Sequence, residues 1–320
     1  MSSLVLNVEQ RPPILDTDIA GEILADYDVT IDLEDTTAEA ELIDLIPAYD
    51  GLMVHAGVPV TRKVIEAGTD LRVIARCGIG VDNVDLDAAA DYGITVVNHP
   101  SYSVDEVASH AVGLILASYR AIPYFDRATR DGTWAWADGV PIGRLADATI
   151  GLLGFGAIGR RVAIQIQGMG MDVLAADPYV DDAVIRRHNV EPTTFPALCD
   201  AVDILSIHAE LTPETNGLVD RAALDRLAED AVLVNTARGP IVDLGALVDV
   251  LAAGELRFVG LDVADPEPLP GDHPLFEFDN VVVTPHVGWY SEASREDLST
   301  GIARDVGLAL VGEEPKHRVV

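Results

Sequence analysis

The sequence predicts an α/β protein made of two doubly wound parallel-sheet domains with a cleft between them. Two observations predict this. Short β-branched runs alternate with helical stretches along the chain, the pattern of a parallel sheet covered by helices on both faces. The alternation also comes as two series, split by a long helical stretch, and two series within 320 residues imply two domains rather than one barrel.

In the first series LVLNV (4–8), VTIDL (29–33), GLMVH (51–55), LRVIA (71–75) and ITVV (94–97) read as buried strands. Segments 37–46 and 61–67 between them read as helices. The second series holds TIGLLG from Thr149, DVLAA (172–176), DILSI (203–207), AVLVN (231–235), RFVGL (257–261) and NVVVT (280–284).

Between the two, Ser103 to Glu106 spells an S-x-x-E capping box that opens a helix. Val104, Val107, Ala108, Ala111, Leu114 and Ile115 then recur at helical spacing, and this helix is expected to cross from one domain to the other. Tyr124, Phe125, Trp134 and Trp136 concentrate aromatics in a chain only 5% aromatic, which suits a packed loop or a subunit interface. A last helix starts near Ser291 with Leu298, Ile302, Val306 and Leu310 on one face, and is expected to return to the first domain. The expected division is therefore 1–101 plus 290–320 against 102–289, with an interface segment near 120–145.

Composition narrows the function classes. The chain has 21 Lys+Arg against 53 Asp+Glu, a net charge of −32, and a pI near 4.3. Nucleic-acid binding runs on cation–phosphate contacts, so a broad nucleic-acid face is excluded, and an anionic membrane surface is disfavoured likewise. Such charge often marks disorder, but 49% of residues are hydrophobic and the mean hydropathy is +0.23, so the chain should fold. Lys63 and Lys316 are the only lysines. An acidic, lysine-poor surface suits concentrated salt, where the Debye length shrinks to roughly 3 Å at 1 M.

Cys77 and Cys199 make neither a disulfide framework nor a CxxC clamp, and no metal site is expected. With no basic n-region ahead of an apolar run and no apolar stretch of membrane length, a cytoplasmic protein is expected.

Gly154-Phe-Gly156-Ala-Ile-Gly159 matches G-x-G-x-x-G. Alone that is weak among 27 glycines, but it follows a strand, opens a helix over 160–169, and has Asp177 18 residues after Gly159 at the end of the next strand. This is the dinucleotide fingerprint of a Rossmann-like domain: the glycines allow a tight turn and close backbone approach, and the helix N-terminus stabilises a pyrophosphate. Asp177 would accept bonds from ribose hydroxyls and repel a 2′-phosphate, which favours NAD. Arg186 and Arg187 nearby, and screening in salt, leave NADP open.

NTARG (235–239), GLDVADPEP (260–268) and TPHVGW (284–289) each follow a strand of the second series, where open α/β sheets bind ligands. Singly, Arg238 reads as a solvated cap, Glu267 as surface charge and His286 as a structural histidine. Together they supply a bidentate cation for a carboxylate, a proton donor for a carbonyl and a carboxylate to orient it. That combination suits hydride transfer to a 2-oxo acid.

With RCGIGVDNVDLDAAADYGITVVN (76–98) and DILSIHAELTPETNGLV (203–219), these motifs in this order resemble the D-isomer-specific 2-hydroxyacid dehydrogenases over essentially the whole chain. The resemblance implies an oxidoreductase with a catalytic Arg238–Glu267–His286 set. It also implies cofactor contacts from Gly154, Gly156, Ala157, Ile158, Gly159, Asp177, His208, Ala209, Thr236, Ala237 and Asp262. It makes the first domain substrate-binding, through His55, Ala56, Gly57 and Val58 after the third strand and through Ile79, and it implies a homodimer. His55-Ala56 stands where phosphoglycerate dehydrogenases often carry Arg-Ser, so a phosphate-binding cation is missing there. Glu267 stands where formate dehydrogenases place Gln. Trp289 resembles the C-terminal-binding-protein corepressor branch and would favour an apolar side chain. The alternatives are thus a dinucleotide-sensing interaction protein, or a related dehydrogenase acting on glycerate, hydroxypyruvate or phosphite.

Overall fold

The computed structural model describes residues 2–8, 13–136 and 141–320. Among them, contacts divide the chain into two units, Met1–Ser103 with Tyr290–Val320, and Val104–Trp289. Each holds one parallel sheet.

The first unit contains β1 (Ser3–Val8), β2 (Val29–Glu34), β3 (Gly51–Val54), β4 (Val73–Arg76) and β5 (Thr95–Val97), in the order β2-β1-β3-β4-β5. The two-residue period of the strands sends Leu6, Val8, Leu52, Val54 and Ile74 into one core. Val5, Met53, Val73 and Ala75 enter the core on the opposite face. Both faces are thus apolar, as a sheet covered twice requires. Helix Thr17–Ala25 begins where the Asp16 carboxylate accepts the Ile19 N–H, and helix Leu86–Asp91 where Asp85 accepts that of Ala88. Helix Glu292–Val311 is opened by a reciprocal capping box between Ser291 and Ser294. It packs Leu298, Ile302, Val306 and Leu310 into the second of these cores. The tail then pairs with β5, Val319 N donating to Val96 O.

The second unit contains β6 (Thr149–Leu153), β7 (Asp172–Ala176), β8 (Glu191–Pro192), β9 (Ile204–Ile207), β10 (Val232–Asn235), β11 (Phe258–Leu261) and β12 (Val281–Val283). Their order is β12-β11-β10-β9-β6-β7-β8. The winding reverses between β6 and β9, which makes a topological switch point there.

Helix Val104–Tyr119 opens the second unit, and its Ala108, Ala111, Leu114 and Ile115 are buried in that unit's core. Two local expectations are corrected. The Ser103 box does not form, because the hydroxyl is buried without a hydrogen-bond partner. Asp105 and Glu106 instead place negative charge in the first turn, where the helix dipole favours it. Nor do the two tryptophans form a packed loop: Trp134 and Trp136 are 91% and 87% exposed. Tyr124 and Phe125 lie in helix Ile122–Arg130 and pack against the core. Residues 137–140 of the expected interface segment lie outside the described residues.

Candidate active site

The candidate residues of the second unit gather along the carboxyl edge of its sheet. Gly154 follows β6 directly with φ +96°, and a Cβ there would lie 2.6 Å from Ala209 N, beyond β9. Only glycine allows that approach across the switch point. A Cβ on Gly159 would sit 2.4 Å from Gly154 O, so this glycine lets the helix pack on the loop. Gly156 differs, since a Cβ there meets nothing within 4 Å. It is the N-cap of helix Ala157–Gln167, and no side chain caps that helix. The first-turn N–H groups of Ala157 and Ile158 thus border open space, the arrangement that receives an anionic group.

Asp177 follows β7. Its carboxylate accepts the Phe155 N–H at 2.7 Å and the Tyr179 N–H at 2.9 Å, which ties it to the glycine loop. Arg186 is paired with Asp182 and Glu191 at 3.4 and 3.5 Å. Along the same edge, His208 shares a 2.9 Å hydrogen bond with Ser206, and burial lowers its pKa to about 4, so it is neutral. Its Nδ1 and the hydroxyl of the buried Thr236 are both buried without protein partners. Orphaned polar atoms of this kind call for a partner from outside the chain. A dinucleotide fits this edge.

Arg238, Glu267 and His286 come from the segments after β10, β11 and β12, three neighbouring strands. The Asn235 amide donates to Arg238 O at 2.8 Å and fixes the turn. Gly239 packs so closely that a Cβ would fall 1.9 Å from Ala264 O. Ala264 N in turn donates to Glu267 Oε1 at 2.9 Å, and Glu267 Oε2 lies 2.8 Å from His286 Nδ1. The three segments are therefore linked by contact, and the Glu267 carboxylate orients the imidazole through Nδ1. His286 has φ +53°, a left-handed conformation uncommon outside glycine and frequent at functional sites.

Asp262 is turned inward, only 3% exposed. Burial opposes its ionisation, but hydrogen bonds from His110, Thr284, Val287 and Gly288 outweigh that and hold the carboxyl below its ordinary range. His110 is the residue of this region that sequence reasoning missed. Its signal was faint: it stands three residues after Val107 and four before Leu114, on the stripe that read simply as apolar.

In the first unit His55, Ala56 and Gly57 follow β3, and Ile79 follows β4. His55 is buried, and its Nδ1 accepts the Gly57 N–H at 3.1 Å, which leaves the proton on Nε2. Burial and the nearby Arg76 lower its pKa to about 4. Nε2 has no protein partner. Asn83 anchors the loop through His55 O and Val58 O, and Asn98 holds Ile79 O at 2.6 Å. Trp289, half-buried, ends the second unit.

A family model described as D-isomer specific 2-hydroxyacid dehydrogenase, NAD binding domain, matches residues 112–288, more than half of the chain. The chain belongs to this family. D-3-phosphoglycerate dehydrogenase of Mycobacterium tuberculosis is 40% identical over 275 residues, covering 85% of this chain and 51% of the relative. The chain thus spans about half the length of the curated relatives it matches. The TT0316 protein of Thermus thermophilus superposes with a TM-score of 0.88 at 33% identity, covering 99% of this chain and 100% of that one. D-lactate dehydrogenase of Aquifex aeolicus, complexed with NAD and lactic acid, gives 0.87 at 25% identity, covering 97% and 96%. These names place the chain toward the phosphoglycerate dehydrogenase side of the family and do not favour the corepressor branch suggested by Trp289. Among the described residues no helix is long and apolar enough to cross a membrane.

Proposed function

We propose that this chain is an oxidoreductase that reduces 2-oxo acids to D-2-hydroxy acids with a nicotinamide dinucleotide, as an NAD(P)-dependent D-2-hydroxyacid dehydrogenase. The observation that carries the reading is the 2.8 Å contact between Glu267 and His286 Nδ1, set on strands adjacent to that of Arg238. Arg238 offers the planar fork that holds a substrate carboxylate. His286 Nε2 gives a proton to the carbonyl oxygen as it becomes a hydroxyl, and takes it back in oxidation. Glu267 fixes the tautomer and stabilises the imidazolium. When bound, the dinucleotide supplies or accepts the hydride. Gly154, Gly156, Ala157, Ile158 and Gly159 would hold its pyrophosphate and Asp177 its ribose. His208, Ala209, Thr236, Ala237 and Asp262 would line the rest.

Asp177 supports NAD over NADP, because a 2′-phosphate beside this carboxylate meets like charge, and Arg186 is already paired with acidic residues. On the substrate side we assign His55, Ala56, Gly57, Ile79 and Trp289. His55 is neutral, so this loop supports an unphosphorylated 2-oxo acid, unlike the substrate in the name of the mycobacterial relative. A cytoplasmic homodimer joined through 120–145, with Trp134 and Trp136 in the interface, would cover two exposed indoles. The test is His286→Gln. Turnover of 2-oxo acids should fall at least about a hundredfold while NADH binding persists. Retained turnover would remove His286 from the chemistry.

A further inference from the structure

We propose that His110, on helix Val104–Tyr119, is a positioning residue for the proton-transferring histidine and acts through Asp262 and Thr284. The inference rests on the role given to His286 above. Asp262 brackets that residue from both sides. Its backbone oxygen accepts the His286 N–H at 2.8 Å. Its carboxylate accepts the next two N–H groups, Val287 at Oδ1 (2.9 Å) and Gly288 at Oδ2 (2.8 Å). The turn that holds His286 at φ +53° is therefore built on the orientation of one carboxylate.

His110 and Thr284 fix that orientation. Thr284 Oγ1 stands 2.5 Å from Asp262 Oδ1, and its single hydroxyl proton is committed to the carboxylate. His110 Nε2 lies 2.9 Å from the same Thr284 oxygen and 3.3 Å from Asp262 Oδ1. Neither of those oxygens has a proton to spare for it, so Nε2–H is the donor, shared between them. The packing is equally tight: a Cβ on Gly288 would sit 2.8 Å from Asp262 Oδ2 and 3.2 Å from the His110 ring. The imidazole thus closes a network that joins a helix to the turns after β11 and β12. Losing the donor removes one of the three hydrogen bonds that hold Asp262 Oδ1 and the contact that steadies the Thr284 hydroxyl, and so loosens the turn that carries His286.

The experiment compares His110→Phe, His110→Gln and Thr284→Val in the full chain with wild type and His286→Gln. It reads kcat and KM for reduction of a 2-oxo acid, NADH affinity, and the solvent deuterium isotope effect on kcat. His110→Phe should lower kcat by about 10- to 100-fold, the cost of a misplaced reacting group, with KM and NADH affinity changed less than about threefold. The isotope effect should rise, because a misplaced donor makes proton transfer limit the rate. His110→Gln, which keeps an N–H donor, should recover most of the loss. Thr284→Val should act in the same direction, and the double variant with His110→Phe should lose little more. An unchanged isotope effect, with His110→Gln no better than His110→Phe, overturns the inference and leaves a packing role. Where His110→Phe fails to fold, a Thr284→Val variant with wild-type kcat and isotope effect overturns it equally. An active His286→Gln variant would overturn the proposed function, and this inference with it. An inactive one beside an unaffected His110→Phe overturns this inference alone.

Discussion

Glu267→Gln probes the contact on which the proposed chemistry depends. In the native protein both carboxylate oxygens accept, Oε2 from His286 Nδ1 at 2.8 Å and Oε1 from Ala264 N at 2.9 Å. A glutamine has one oxygen for two donors, so one bond is lost or reversed, at about 1 kcal/mol. The remaining bond to the imidazolium is no longer charge-assisted. That difference is about 1–2 kcal/mol when buried, and its lower end applies here because the His286 and Glu267 side chains are 32% and 38% exposed. The sum, about 2 kcal/mol, corresponds to roughly a thirtyfold fall in reductive kcat/KM. The assay is steady-state NADH consumption with a 2-oxo acid, with NADH affinity measured by fluorescence quenching. The deficit should lie in turnover and leave NADH affinity untouched. A variant within about threefold of wild type, or one whose whole deficit is weaker NADH binding, would refute this role for Glu267.

Other perturbations follow from the same geometry. Arg238→Ala should raise KM for the 2-oxo acid about a hundredfold or more with NADH affinity preserved, measured by paired substrate and cofactor titrations. Burial and Arg76 lower the His55 pKa in the folded chain to about 4 from the ordinary 6.5, so the unfolded chain binds the extra proton first. Stability should therefore fall as pH drops from 6.5 towards 4, by on the order of 2–3 kcal/mol from this residue, and His55→Gln should flatten that part of the denaturation profile. Gly154→Ala must both hold φ +96° and push a Cβ to 2.6 Å from Ala209 N, so it should lose NADH binding and lower Tm by several degrees or more. The charge of −32 predicts a Tm that rises from dilute buffer into molar KCl; a flat or falling Tm would reject salt adaptation.

The strands were legible because short apolar, β-branched runs bounded by turns and alternating with helices have one good use, and β1, β2 and β7 begin within a residue of where that pattern places them. The glycine loop was legible for a different reason: its spacing reports a backbone constraint, and Gly154 meets that constraint against Ala209. Ser103 misled because its motif describes a possible local bond, whereas burial decides whether the hydroxyl is used. His110 was illegible for the deepest reason. Its partner Thr284 is 174 residues away, and no local pattern encodes so distant a contact. Asp262 was legible as a motif residue, but its inward hydrogen bonds were not.

The acidity that argues against a nucleic-acid face also bears on the proposed site. On the proposed function, a chain of net charge −32 must gather positive potential locally for an anionic cofactor and an anionic substrate, a part that Arg238 and the uncapped helix at Ala157 would play. The most direct test supplies the purified chain with NADH and a panel of unphosphorylated 2-oxo acids and determines the chirality of any product. NADH-dependent turnover to the D-2-hydroxy acid is the expected result. Tight NADH binding with no turnover of any 2-oxo acid, or an L-configured product, would contradict the proposed function.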